Sequence, residues 1–355
     1  MVRSGRGFRR LPKFAGLVAG IAVMVVQMSP PAMAVEQSSS LDGTGCTWVI
    51  NELPLPAGWS TGYVYNSDRH DSFAGYGVDV DGKTRPLVWH DGAVTVLETP
   101  GGVSAVAQDV NSQGDVVGVV LGEDTSTHGV LWHGGQLIDL STLPGGGFAV
   151  PSAINNAGLI VGYAAGEDTS HAVAWSADAP QSIQDLGVVA GSAYLTDVSE
   201  QGAVAGWTET VGEEFRQQAI RGTVREGLTT LPGPLPGTNS MARAAAGPYI
   251  VGSAVLTSGS GDLGSPVVWA PTGPRALPGT QATVSAVNDH GTVVGSDGDL
   301  GAVIWLGDQE QQLPRLAAGD PFSTSATVAT DNDTVAGISA DAGGRSRPVT
   351  WSCTS

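Results

Sequence analysis

A valine or alanine followed by glycine recurs along this chain, with the glycine at Gly75, Gly118, Gly162, Gly206, Gly252, Gly295 and Gly337. The steps are 43, 44, 44, 46, 43 and 42 residues, and a fixed period of that size marks an array of equal structural units. A second marker follows each glycine, an apolar run closed by tryptophan. It reads Arg85 to Trp89, His128 to Trp132, His171 to Trp175, Pro266 to Trp269, Ala302 to Trp305 and Pro348 to Trp351. The fourth copy, Gln218 to Arg221, carries Arg221 where the others carry tryptophan.

Before the glycine comes an Asn-x-x-Gly turn: Asn111 to Gly114, Asn155 to Gly158 and Asn288 to Gly291, with Ser199 to Gly202 as a weaker copy. Asparagine and glycine tolerate the left-handed backbone that tight hairpins need. After the tryptophan come another turn and a short apolar strand, as in Leu137 to Leu140 and Leu228 to Leu231. Each unit thus reads as four short antiparallel strands, which is the pattern of a propeller blade. Composition agrees. With 51 glycines, 21 prolines and only 14% charged residues, long helices are excluded, and the fold class is all-β.

Seven units predict a seven-bladed β-propeller with four antiparallel strands per blade. The last unit stops after Trp351, without a fourth strand. Trp48 to Pro56 has the character of that missing strand, so the N- and C-terminal strands should share one blade and close the ring, leaving no open edge. The only two cysteines agree with this placement: Cys46 stands two residues before Trp48, and Cys353 two after Trp351. A Cys46–Cys353 disulfide is expected, worth up to about 5–6 kcal/mol by loop-closure entropy.

The units resemble the bacterial HAF extracellular repeats. The likeness rests on Val110-Asn111 to Gly118 with His128 to Gly146, and on Ile154-Asn155 to Gly162 with His171 to Trp175. It is weaker in units four and six and weakest at the ends. Val130 and Val173 stand where the family triplet has phenylalanine. The resemblance implies an extracellular location and a repeated β unit, and it carries no catalytic residues.

Residues 1–34 read as an export signal. Arg3, Arg6, Arg9, Arg10 and Lys13 precede an uncharged apolar run from Phe14 to Met28, and Ala32-Met33-Ala34 offers a cleavage site. The run is shorter than the ~20 residues that span a bilayer, so cleavage and secretion to the extracellular space are expected, without stable membrane insertion. Arg9-Arg10 suggests twin-arginine export, while Pro12, standing where that motif takes an apolar aromatic, favours the general secretory route. A short lead, 35–45, would precede a single propeller domain, 46–355. Losing the five basic residues takes the formal charge from −18 to −23. That balance excludes nucleic acid as a partner and keeps the mature chain soluble, as a monomer.

The chemistry-bearing residues are few. His90, His128, His133 and His171 occupy repeat positions and are expected to be structural; no zinc spacing occurs. Gly58 to Gly62 matches a Gly-x-Ser-x-Gly string, but the nucleophile elbow needs a strand–turn–helix setting. The six repeat tryptophans should be core, and Trp59 and Trp207 surface. The acidic residues gather in the loops between second and third strands: Asp79, Asp81, Glu123, Asp124, Glu167, Asp168, Glu213, Glu214, Asp262, Asp297 and Asp299. These loops share one face of the disc and form the candidate binding face. No cofactor signature is present. Calcium is the one ion that Asp79-Val-Asp81-Gly82 and Asp297-Gly-Asp299 could attract, although they lack the later ligands of an EF-hand.

No catalytic constellation emerges. The expected function is a non-catalytic secreted module binding a protein or glycan through its acidic loop face. An extracellular carbohydrate-active hydrolase or lyase, with carboxylates as acid and base, is the first alternative; a structural or adhesive envelope protein is the second.

Overall fold

The computed structural model describes residues 46–122, 126–210, 216–234, 238–255, 264–279 and 281–354. The expected signal and lead (1–45) and the candidates Glu123, Asp124, Glu213, Glu214 and Asp262 lie outside the described residues. Seven four-stranded antiparallel sheets form the blades of a propeller. Blade one runs Thr61–Ser67, Phe73–Val78, Thr84–His90 and Ala93–Val96. The inner strands of blades two to seven are Ala105–Val110, Ala149–Ile154, Ser192–Val198, Ser240–Ala246, Thr283–Val287 and Thr324–Ala329. No helix among the described residues is long and apolar enough to cross a membrane.

Blade seven is closed from both ends of the chain. Thr47–Glu52 pairs antiparallel with Ser346–Thr354, with Trp48 opposite Cys353 and Ile50 opposite Trp351. The Cys46–Cys353 disulfide pins this strand at a Cα–Cα distance of 5.5 Å. Replacing both cysteines with serine is expected to lower stability by about 2–4 kcal/mol, read from denaturant unfolding. An unchanged midpoint would mean that strand pairing alone holds the ring shut.

The hydrophobic core lies between blades. One cluster joins Ala153, Val161 and Ala172 of blade three to Leu195, Val204 and Ile220 of blade four, all fully buried. The six repeat tryptophans belong to such clusters, and each also latches its blade to the one before. Trp89, Trp132, Trp175, Trp269, Trp305 and Trp351 donate Nε1–H to the carbonyls of Pro54, Glu98, Ser141, Pro232, Pro278 and Pro314, at 2.7–3.0 Å. Each acceptor lies in the segment leaving the preceding blade's outer strand.

Blade four differs from the sequence alignment by one residue. Trp175 pairs with Ile160, two positions before the marker Gly162; the equivalent partner of Val204 is Gly222 rather than Arg221. Gly222 therefore fills the tryptophan slot, and Arg221 is exposed.

The turn asparagines do two jobs. Asn155 Oδ1 accepts from Ala157 and Leu159 N–H, closing its own turn around Gly158 at φ +75°, while Nδ2 donates to Ser199 O of the next blade at 3.0 Å. Asn288 repeats this, reaching Thr330 O at 2.9 Å. The repeat histidines serve similar local ends: His133 meets Asp115 at 2.7 Å, His171 meets Asp185 at 3.0 Å, and His90 meets Ser72 at 3.0 Å.

Candidate functional site: the central channel

Every inner strand carries a β-bulge at the same place. The register against the second strand jumps at Tyr65, Gln108, Ser152, Thr196, Arg243, Ser285 and Thr327. A bulge leaves one residue unpaired and re-aims its side chain. All seven bulged residues line one central cavity of about 550 Å³. The marker glycine of each blade lies opposite its bulge, and a Cβ added there would fall 1.9–2.1 Å from an inner-strand carbonyl oxygen. The repeat glycine thus permits the bulge, and the bulge builds the channel.

Two of the seven residues are committed to the ring itself. Thr196 Oγ1 donates to Ala242 O of blade five at 3.2 Å, and Thr327 Oγ1 donates to Val64 O of blade one at 2.9 Å. Gln108, Ser152, Arg243 and Ser285 make no side-chain hydrogen bond or ion pair among the described residues.

Arg69, at φ +69°, reaches across the channel from blade one at the face of the inner-to-second-strand turns. Its Nη2 donates to Ala245 O at 2.7 Å and lies 3.5 Å from Asp197 Oδ2; Nε is 3.8 Å from Glu200 Oε1. Its own carbonyl accepts from Asp331 N–H at 2.8 Å. One arginine therefore joins blades one, four, five and seven. Burial works against its charge, but Asp197, Asp109, Asp331 and Glu200 outweigh burial and hold its pKa above the usual value.

The carboxylates around it are stitched into the ring. Asp109 gives one oxygen to Val110 N–H and the other to Ile154 N–H of the next blade; Asp197 does the same with Val198 and Ala245. Burial pushes Asp109 well above the ordinary carboxyl range, with Asp197 adding to it against the pull of those N–H groups and Arg69. Burial raises Asp197 and Glu200 too, opposed by the same kinds of contact.

The opposite face carries the loops between second and third strands and the links between blades. Here the channel mouth is aromatic. Tyr63 and Tyr76, cross-strand partners just outside the blade-one bulge, stack at 4.7 Å and 17°. Tyr194 and Trp207 repeat this in blade four at 4.3 Å and 24°. Tyr163 joins Tyr194 edge-on at 5.1 Å across the seam of blades three and four, and Phe148 extends the arc at 6.3 Å. Phe148 is exposed and the other rings of the arc are half-buried. The exposed apolar side chains Val80, Leu121, Val188 and Phe322 stand on this face as well.

The sequence candidates divide in this setting. Asp81, Glu167, Asp168 and Asp299 are exposed on the loop face. Asp79 holds its own turn: Oδ1 accepts from Asp81 and Lys83 N–H, and Oδ2 pairs with Arg85 Nε at 2.6 Å. These bonds outweigh the desolvation that opposes them and hold its pKa low. Asp297 is buried and caps its loop by accepting from Asp299 and Leu300 N–H. Beside it, Glu310 keeps Oε1 buried without a hydrogen-bond partner, and burial with the Asp297 charge pushes its pKa up to about 7. None of the candidates gathers with others into an ion-sized cluster among the described residues. Among the described residues, the one group of three that could share an ion is Asp71, His90 and Asp91, all exposed on the opposite face.

Sequence reasoning missed the channel residues, although a signal was present. The column at 65, 108, 152, 196, 243, 285 and 327 varies among polar types, whereas the residue before each is always small or apolar. Trp207, expected at the surface, is half-buried in the arc.

No family model matches the chain, and no curated protein matches it in sequence. Solved structures match its fold. The β-propeller domain of the Trilobed protease from Pyrococcus furiosus aligns with a TM-score of 0.57 at 10% identity, over 83% of this chain and 95% of that one. An oligogalacturonate lyase from Vibrio parahaemolyticus gives 0.57 at 11% identity, over 89% and 96%. A puromycin-hydrolyzing peptidase from Mycobacterium tuberculosis gives 0.54 at 15% identity, over 84% of this chain and 53% of that one. At such identities the likeness is one of fold.

Proposed function

We propose that the protein is a secreted, non-catalytic binding propeller whose ligand is a saccharide seated at the aromatic mouth of the channel. The observation that carries this reading is Tyr163, which lines the cavity and continues into Tyr194 and Trp207, with Tyr65 lining the same cavity from blade one. A pyranose presents an apolar C–H face, which stacks on an aromatic ring, and a hydroxyl edge, which needs donors and acceptors. The arc suits the first, and the free side chains of Gln108, Ser152 and Ser285 suit the second. The exposed acidic loops share the same face and would form its rim. Absence of catalysis is supported by Asp197, the carboxylate that lines the cavity among the described residues, whose two oxygens accept from the N–H groups of Val198 and Ala245.

Titration with oligosaccharides selected on a glycan array is expected to perturb the fluorescence of Trp207. Trp207→Ala should weaken that binding about threefold to tenfold. Failure of every glycan on the array to bind would sink the reading.

A second reading, a carbohydrate-active hydrolase or lyase, is favoured by Glu310, whose pKa of about 7 suits a general acid beside Asp297. A solved structure similar in fold is named an oligogalacturonate lyase, but fold alone carries no activity across. Release of new reducing or unsaturated ends from a bound oligosaccharide, abolished by Glu310→Gln, would establish it.

A further inference from the structure

We propose that Arg243 determines specificity in the channel by pairing with a carboxylate, so that the saccharide bound there is an acidic one. The inference rests on the saccharide reading above and adds the chemical class of the sugar. Among the described residues, three charged side chains line the cavity: Arg69, Asp197 and Arg243. The first two are committed to each other at 3.5 Å. Arg243 stands apart. It occupies the bulge position of blade five, between Ala242 and Ala244, is exposed to the cavity, and makes no hydrogen bond or ion pair among the described residues.

Arg243 stands in a chain with 34 acidic residues against 16 basic ones. At the other bulge positions the residues are neutral, so Arg243 gives this ring of residues its one positive charge within a negative protein. The guanidinium fork matches the two oxygens of a carboxylate in a bidentate pair. Concave walls of low dielectric strengthen such a contact relative to open water. Gln108, Ser152 and Ser285 surround it with neutral groups that can receive sugar hydroxyls without competing for the anion. The arc then holds the ring faces while Arg243 reads the acid.

Calorimetric titration of the full chain with an oligouronate, and with its methyl ester as the uncharged counterpart, tests the assignment. The wild type is expected to bind the oligouronate about tenfold to a hundredfold more tightly than the ester. Arg243→Gln should erase that preference while leaving affinity for the ester and the melting temperature unchanged. Arg243→Lys, which keeps the charge but not the fork, should restore part of it and guards against a glutamine-specific folding defect. Equal binding of both probes by the wild type overturns the proposal, as does a preference that survives in Arg243→Gln. Binding of neither probe overturns it too. In that case, neutral glycans bound on the array leave the saccharide reading standing, and no bound glycan removes both.

Discussion

Gly162→Ala is expected to cost on the order of 4 kcal/mol or more, enough to prevent blade three from forming. The added Cβ would lie 2.1 Å from Val150 O and 2.9 Å from Pro151 Cα, both backbone atoms of the bulged inner strand. Neither atom can retreat without undoing the bulge or parting the sheet. Relief by a rotamer change, which softens most overpacking substitutions, is therefore unavailable. Gly147→Ala is the control. That glycine has no heavy atom within 4 Å of the added Cβ and no left-handed φ, so the change should be neutral or slightly stabilising. Denaturant unfolding of the two variants separates the explanations. A Gly162→Ala protein as stable as Gly147→Ala would mean that the strands do not approach as closely as described.

The same glycine shows how much of the fold was legible in the sequence, and where legibility ended. Spacing of Gly75 to Gly337 and of the tryptophans reveals blades, strand count and closure, because a repeat exposes its template by recurrence. It does not say why glycine is required. The reason is a contact with the neighbouring strand's carbonyl, and such contacts exist only once the strands pair. The tryptophan latches escape notice for the same reason: the indole is visible in the sequence, but its acceptor carbonyl, at Pro278 for Trp305, belongs to another blade.

Legibility of the site was poorer still. Acidic loop residues attract attention because they are charged and recurrent, yet Asp79 and Asp297 use their oxygens on their own turns. Candidate binding groups lie instead among residues that depart from the template, such as Arg243 and Trp207. The mouth also draws on separate blades, so Tyr163 and Tyr194 meet only once blades three and four pack together.

Ring closure also leaves a buried charge cluster in the channel, whose removal should be the second-largest effect. Arg69→Met is expected to destabilise the protein by about 3–5 kcal/mol at neutral pH, because removing one partner of a buried pair strands the others. Asp197 would lose the guanidinium at 3.5 Å and Glu200 the one at 3.8 Å, while Asp109, Asp331 and Asp289 remain nearby. The loss should shrink as pH falls. Asp109, Asp197 and Glu200 already have pKa values raised above the unfolded ones. A carboxyl raised in this way binds its proton in the folded state first, so folding gains stability as pH drops from the raised value toward the unfolded one. Without Arg69 the raised values climb further and the window widens. Between pH 8 and pH 5 the variant should therefore regain stability on the wild type, and a gap that stays constant over that range would refute the electrostatic account. Binding gives an independent reading. Arg69 bars the channel at the turn face, whereas the aromatic arc and the loops stand at the other, so a folded Arg69→Met protein at pH 5 should bind its saccharide as the wild type does.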